Sequence, residues 1–190
     1  MLTKEEQKTL LSIARHTIEQ YLKGSDIDRI KNEAPERFPI TGIMREKRGG
    51  FVTLRKDGDL RGCIGYIEAI RPLYITVIEN AANAAFSDFR FPSVKEDEVA
   101  SISIEISVLS PVEPLKDIET IEVGRDGLIV KKGFRQGLLL PQVATEYGWD
   151  KYQFLSHTCM KAGLPHDEWR TDDIELSRFS SFVFGEGMLA

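Results

Sequence analysis

The chain has 190 residues, 42% of them hydrophobic and 29% charged, with a formal charge of −5. That length suits one large domain or two small subdomains sharing a core, and it can bury most of its apolar surface without disulfides or a structural metal. The acidic balance argues against a generic nucleic-acid binder, whose affinity rests on cations meeting phosphates, and no apolar run approaches the ~18 residues of a membrane helix.

The segment Leu2-Thr3-Lys4-Glu5-Glu6-Gln7-Lys8 is charged and lacks the apolar stretch of an export signal, so a cytoplasmic location is expected. In that reducing compartment Cys63 and Cys159 are read as free thiols. Thr3 and Glu6 stand at the spacing of a capping box. After them Leu10, Leu11, Ala14, Thr17, Ile18, Tyr21 and Leu22 fall on one helical face, and Gly24 is placed to stop the helix. Ser25 to Gly50 is less regular, with a short helix expected around Asp26–Asn32. The mixed run Arg45-Glu46-Lys47-Arg48 reads as a solvated loop.

Phe51–Arg55 and Leu60–Ile67 read as two strands joined at Lys56-Asp57-Gly58-Asp59, because Asp-Gly supplies the positive φ values of a tight hairpin turn. Pro72 opens a helix that runs to about Phe86, rich in Ala81, Ala82, Ala84 and Ala85, which let it sit close to a sheet. Ile102, Ile104, Ile106 and Val108 alternate with Ser101, Ser103, Glu105 and Ser107, the pattern of a strand with one buried and one more polar face. Ile118–Val123 is a short strand or a helix start, and Gly124-Arg125-Asp126-Gly127 a turn. Leu128–Lys131 and Leu138–Leu140 suggest a hairpin across Gly133–Gly137. Pro141 and Asp150 begin two helices, Gly163 ends the second, and Ile174–Phe184 returns as a strand. This order predicts an α+β fold with an antiparallel β-sheet flanked by helices, and 1–190 as one domain. No Gly-rich phosphate loop joins a strand to a helix, so no cofactor is called.

Leu60-Arg61-Gly62-Cys63-Ile64-Gly65 is the candidate working segment. In a regular strand Arg61, Cys63 and Gly65 share one face, and Leu60, Gly62 and Ile64 the other. Arg61 beside Cys63 then favours the nucleophilic thiolate, Gly65 leaves room beside the sulfur, and Gly62 leaves room for the Ala-rich helix. A bulge would change that parity. The competing reading makes Cys63 a small buried hydrophobe with two glycines as packing devices. His157 and His166 are candidate bases for a thiol, whereas His16 in the first helix reads as a surface residue. His157 and Cys159, two apart on a helix, diverge by about 200° and cannot share an ion. No spacing of His and Cys matches a zinc site, so no metal is called. Cys159 is read as a packing residue with Phe154, Leu155 and Ala162. Asp88, Glu105 and Asp126 are carboxylates able to orient a base, though each reads equally as a solvated or paired group.

These segments carry a resemblance. Leu60-Arg61-Gly62-Cys63-Ile64-Gly65, Ala84-Ala85-Phe86, Arg90-Phe91-Pro92, Ile104–Pro111, Gly127-Leu128-Ile129, Gly137–Ala144, Gly148-Trp149-Asp150 and Lys161-Ala162-Gly163-Leu164-Pro165 stand in the order of the AMMECR domain family. The chain resembles its prokaryotic members of the AmmeMemoRadiSam system protein A type, over about Phe51 to Phe184. The resemblance implies two packed subdomains with a cleft beside the cysteine segment, and a pathway shared with Memo-like and radical-SAM proteins. It departs where the family's Asp-Pro-Arg-Phe-Pro-Pro has Phe89 and Ser93 for the flanking prolines.

Two main functions follow. One is a ligand- or partner-binding module, with Gly62, Gly65, Asp88, Arg90, Glu105 and Gln142 as candidate contacts. The other is a thiol-dependent enzyme on a small anionic substrate, with Cys63 as nucleophile, Arg61 or Arg90 holding the anion and His157 as base. A metal-dependent hydrolase or carrier ranks third. Either a monomer or a homodimer is compatible with the chain.

Overall fold

The computed structural model describes residues 2–188. They form two compact units: residues up to Leu109 together with those from Phe182 onward, and Ser110–Ser181.

The first unit holds the helices α1 (Lys4–Leu22), α2 (Ile27–Arg37) and α3 (Leu73–Phe86) and the strands β1 (Gly50–Lys56), β2 (Asp59–Tyr66) and β3 (Ile102–Leu109), with β1 central and β2 at an edge. Both ladders of β1 are antiparallel, as the chain order implies. Thr3 and Glu6 form the reciprocal capping box: the Thr3 hydroxyl accepts from the Glu6 amide at 3.2 Å, and the Glu6 carboxylate from the Thr3 amide at 2.9 Å. Gly24, at φ 84°, closes α1 with its amide on Tyr21 O and that of Ser25 on Gln20 O, the paired bonds of a Schellman cap. Tyr21 stands 41% exposed at the rim of the helix face and stacks on Phe86 at 4.8 Å. The helix expected near Asp26–Asn32 continues to Arg37 through Pro35, because Ile30 and Ala34, one turn apart, both bury in the core.

One face of this sheet is covered by helices. Val52, Leu54, Ile102, Ile104, Ile106 and Val108 pack there against Leu10, Ile13, Leu73, Ile78 and Ala81. Each such side chain contributes about 1.5–3 kcal/mol by leaving water. The alternation in β3 therefore holds as read, with Ser103 and Glu105 on the other face. Asp57 (φ 54°) and Gly58 (φ 88°) form the two-residue turn between β1 and β2, both in the left-handed region that a primed hairpin requires. Two residue pairs beyond that turn the register slips. Leu54 pairs with Gly62, but Arg55 pairs with Leu60, so Arg61 is an extra residue in β2.

The second unit holds β4 (Glu113–Pro114), β5 (Asp126–Lys132), β6 (Arg135–Leu139), α4 (Pro141–Glu146), α5 (Lys151–Lys161) and the first part of β7 (Glu175–Gly185). β5 pairs antiparallel with β6 and β7, and β4 pairs with β7. The hairpin β5–β6 is tighter than the spacing of its glycines suggests. Its loop is Gly133-Phe134 alone, and Gly137 lies within β6 opposite Val130. Gly137 serves packing: a side chain there would run into the backbone of Thr158 and Ala162 in α5. Asp126 and Gly127, expected in a turn, begin β5, while Ile118–Thr120 is a single 3-10 turn. Asp150 caps α5 through the Tyr152 and Gln153 amides, at 2.9 and 2.8 Å. Gly163 (φ 71°) ends it, with the Leu164 amide on Cys159 O. Phe154 and Leu155 fill the core of this unit, and Cys159 packs with Val130, Ala162 and Leu164.

Candidate functional site

Cys63 sits on the face of the first unit's sheet that the helices do not cover. Its cross-strand partner is Thr53. The Thr53 hydroxyl donates to the Cys63 sulfur at 3.2 Å, a contact that stabilises negative charge on sulfur. Cys63 is half-buried, so the thiol is neither sealed in the core nor fully exposed.

The free edge of β2 would leave the main chain of Cys63 without partners. A side-chain pair from the loop after α3 supplies them. The Cys63 amide donates to Asp88 Oδ2 at 2.9 Å, and its carbonyl accepts from Arg90 Nη2 at 3.1 Å. Arg90 in turn grips Asp88 with Nε at 2.9 Å and Nη2 at 2.7 Å, and the Arg90 amide adds a fourth donor at 3.2 Å. Asp88 is buried. The Arg90 guanidinium, helped by the two amides, holds its carboxyl far below the usual carboxylate range despite the opposing effect of burial. The loop is also closed by its main chain: the Phe91 amide donates to Asp88 O at 3.0 Å. Phe89, at 96% exposure, stands out from its tip.

Arg61 is not beside the thiol. The extra residue in β2 shifts the strand's parity, so that Leu60 joins Thr53 and Cys63 on the open face. Arg61 instead binds Glu98 through Nη2 at 2.7 Å and Nε at 3.2 Å, next to the pair Lys56–Glu98 at 3.2 Å. Arg61, with lesser help from the Lys95 amide and Lys56, lowers the Glu98 carboxyl to about 2. The cation at this edge is Arg90, which reaches the Cys63 carbonyl and not Glu98, and whose basicity is raised chiefly by Asp88. Thr53 was not singled out by the sequence, because its position opposite Cys63 depends on the bulge.

Gly62 does make room for the Ala-rich helix, since a Cβ would meet the carbonyl oxygen of Ala84. Gly65 does not open space beside the sulfur: the ring of its cross-strand neighbour Phe51 lies over it. Glu105 is on the open face and pairs with Arg55 at 2.9 Å. His16 packs edge-on against Phe38 at 5.5 Å. In the second unit Gln142 lies in α4, and His157 in α5, its ring stacked on Trp149 at 3.8 Å and 3°. Asp126 is buried and held by Arg125 at 2.7 and 2.8 Å. Cys159 is fully buried, which pushes its thiol up and makes it a packing residue. Among the described residues no three of His, Cys, Asp and Glu converge as a metal site would require, and no helix is long and apolar enough to cross a membrane.

Fold and site together define an antiparallel α+β protein that holds a Gly-flanked cysteine on an edge strand under an Asp-Arg clamp. The AMMECR1 family model matches residues 11–184, and the chain belongs to that family. A protein of Methanothermobacter thermautotrophicus is 48% identical over 192 residues, covering 97% of this chain and 96% of its own. One of Methanopyrus kandleri is 46% identical, covering 97% and 90%. The crystal structure of an uncharacterized protein from Pyrococcus horikoshii superposes with a TM-score of 0.79 at 43% identity, over 94% of this chain and 90% of that one.

Proposed function

We propose that this protein is a binding module whose Cys63 face receives a ligand or a partner protein, within a modification or redox pathway shared with Memo-like and radical-SAM proteins. The observation that carries the binding reading is the clamp. Asp88 and Arg90 fix the main chain of Cys63 on the open edge of β2, while the thiol, Thr53 and Leu60 stay on the uncovered face. A surface held rigid before contact loses little entropy when something docks on it. The choice of partners rests on the family resemblance.

The test is capture. The protein and the Memo-like and radical-SAM proteins of one genome are co-expressed and the complexes isolated. Wild type is expected to retain at least one of them, and Leu60→Arg, on the Cys63 face, to lose it. Failure of wild type to retain either protein overturns the partner assignment, and retention unaffected by Leu60→Arg overturns the face.

The Arg90 guanidinium, 3.1 Å from the carbonyl oxygen of Cys63 and able to hold an anion there, favours a second reading, a thiol-dependent enzyme acting on a small anionic substrate. Its test is the pH dependence of Cys63 alkylation in a Cys159→Ser background. An apparent pKa of about 7 or lower, against ~8.5 for an ordinary thiol, supports the enzyme. No native labelling at any pH removes it.

A further inference from the structure

We infer that the second unit carries a separate binding site for a flat aromatic ring bearing an anionic group, the chemistry of a nucleotide, built on a column of three stacked rings. Trp149 lies parallel to the His157 imidazole at 3.8 Å and 3°, and Tyr147 lies near-parallel to Trp149 at 4.9 Å and 15°. These rings border a shallow cavity of about 420 Å³, together with Leu139, Val143 and Lys161. The site is independent of Cys63 and of the function proposed above.

The local sequence explains the column. α4 ends at Glu146, and Gly148 at φ 66° turns the chain so that Tyr147 and Trp149, two residues apart, stack face to face. Asp150 then starts α5, which brings His157 up two turns later against the indole. Burial does not account for Tyr147, which is 69% exposed. Its ring is pinned by the stack and not by a core. An aromatic ring already fixed in orientation offers a stacking surface at little entropic cost, and each base stacked on such a ring is worth about 1–3 kcal/mol.

The rest of the lining sets the ligand class. Leu139 and Val143 give apolar walls. Lys161 gives a cation at the rim, and none of the lining side chains is acidic. A neutral hydrocarbon would leave Lys161 unused, and a free inorganic anion would leave the rings unused. A planar ring with a phosphate uses both, and the cavity lies in the range of about 300–1,000 Å³ of small-molecule sites.

The experiment is a titration of the full chain with AMP, UMP and FMN by calorimetry, and with AMP by Trp149 fluorescence in a Trp169→Phe background. At least one of the three is expected to bind saturably below about 1 mM. Tyr147→Ala is expected to weaken that binding about 5- to 100-fold, and Tyr147→Leu nearly as much, since Leu keeps the apolar surface but cannot stack. Lys161→Gln is expected to weaken AMP while leaving adenosine unchanged. Both side chains are exposed, so these variants retain the fold, which far-UV circular dichroism checks. No saturable binding of any of the three, or binding unaffected by both Tyr147→Ala and Lys161→Gln, overturns the site.

Discussion

Asp88 accepts the amide hydrogen of Cys63 at 2.9 Å, across 25 residues of chain. This contact does the work of a missing strand. It satisfies an edge amide that water or another chain would otherwise take, and through Arg90 it satisfies the carbonyl of the same residue.

Removing the carboxylate should loosen that edge. Asp88→Ala leaves the Cys63 amide and the Arg90 guanidinium without their partner, and a loss of about 2–3 kcal/mol in denaturant unfolding is expected. Asp88→Asn keeps the shape but loses the charge. The folded-state pKa of Asp88 is depressed, so its contribution is fully present above the ordinary carboxylate range near pH ~4 and is lost as pH falls below it. Glu98, held at about 2 by Arg61, loses its own contribution in wild type and variant alike and so cancels in their difference. The stability gap between wild type and Asp88→Asn should therefore narrow steadily between about pH 4 and pH 2 in urea titrations. A gap independent of pH would contradict the clamp.

The two arginines should separate in thiol chemistry. With Cys159→Ser as background, Arg90→Gln should slow alkylation of Cys63 at pH 7.5 about 3- to 10-fold, because it removes the cation that holds the Cys63 main chain. Thr53→Val should slow it by a similar factor through the lost hydroxyl donor. Arg61→Gln should leave the rate within about twofold, because Arg61 is engaged with Glu98. Stopped-flow labelling with a chromogenic disulfide measures all three.

Gly62→Ala should cost about 2–3 kcal/mol, since the new methyl would overlap the Ala84 carbonyl and push α3 off the sheet. The same variant should also disturb Cys63 labelling, because the loop bearing Asp88 begins where α3 ends. A neutral Gly62→Ala would mean that α3 rides farther from β2.

Arg15 ties the first unit's far chain segments together. It binds Glu186 with Nε at 2.7 Å and Nη2 at 2.6 Å, and the carbonyls of Val99 and Ile102 at 3.1 and 2.7 Å. Glu186 also accepts the Ile104 amide at 3.0 Å. Arg15→Ala should lower stability by about 2 kcal/mol, and Glu186→Ala by about as much. In a double-mutant cycle their effects should fall well short of additive.

Much of this structure was legible as local chemistry. The Thr3–Glu6 box, Gly24, the Asp57-Gly58 turn, the Asp150 cap and the alternation of β3 are decided by residues a few positions apart, and each formed as read. Cys63 also stood out locally, by its two glycines. Other readings failed for one common reason. Asp126 and Gly127 entered a strand, Gly137 lay inside one, Gly65 packed under Phe51, and Arg61 left the face of Cys63. In each case a distant partner overrode the local pattern: the β7 ladder, the backbone of α5, the Phe51 ring and Glu98.

The sequence alone determined the elements, their antiparallel class and the residue at the centre of the candidate site, because caps, turns and alternating burial are short-range effects. Only the tertiary structure decided which groups reach that residue. A single extra position in β2 reverses the side on which every earlier residue of the strand projects, and no short-range signal announces it. It turns Arg61 toward Glu98 and sets Thr53 opposite Cys63, while the edge left open by the sheet is what draws in Asp88 and Arg90.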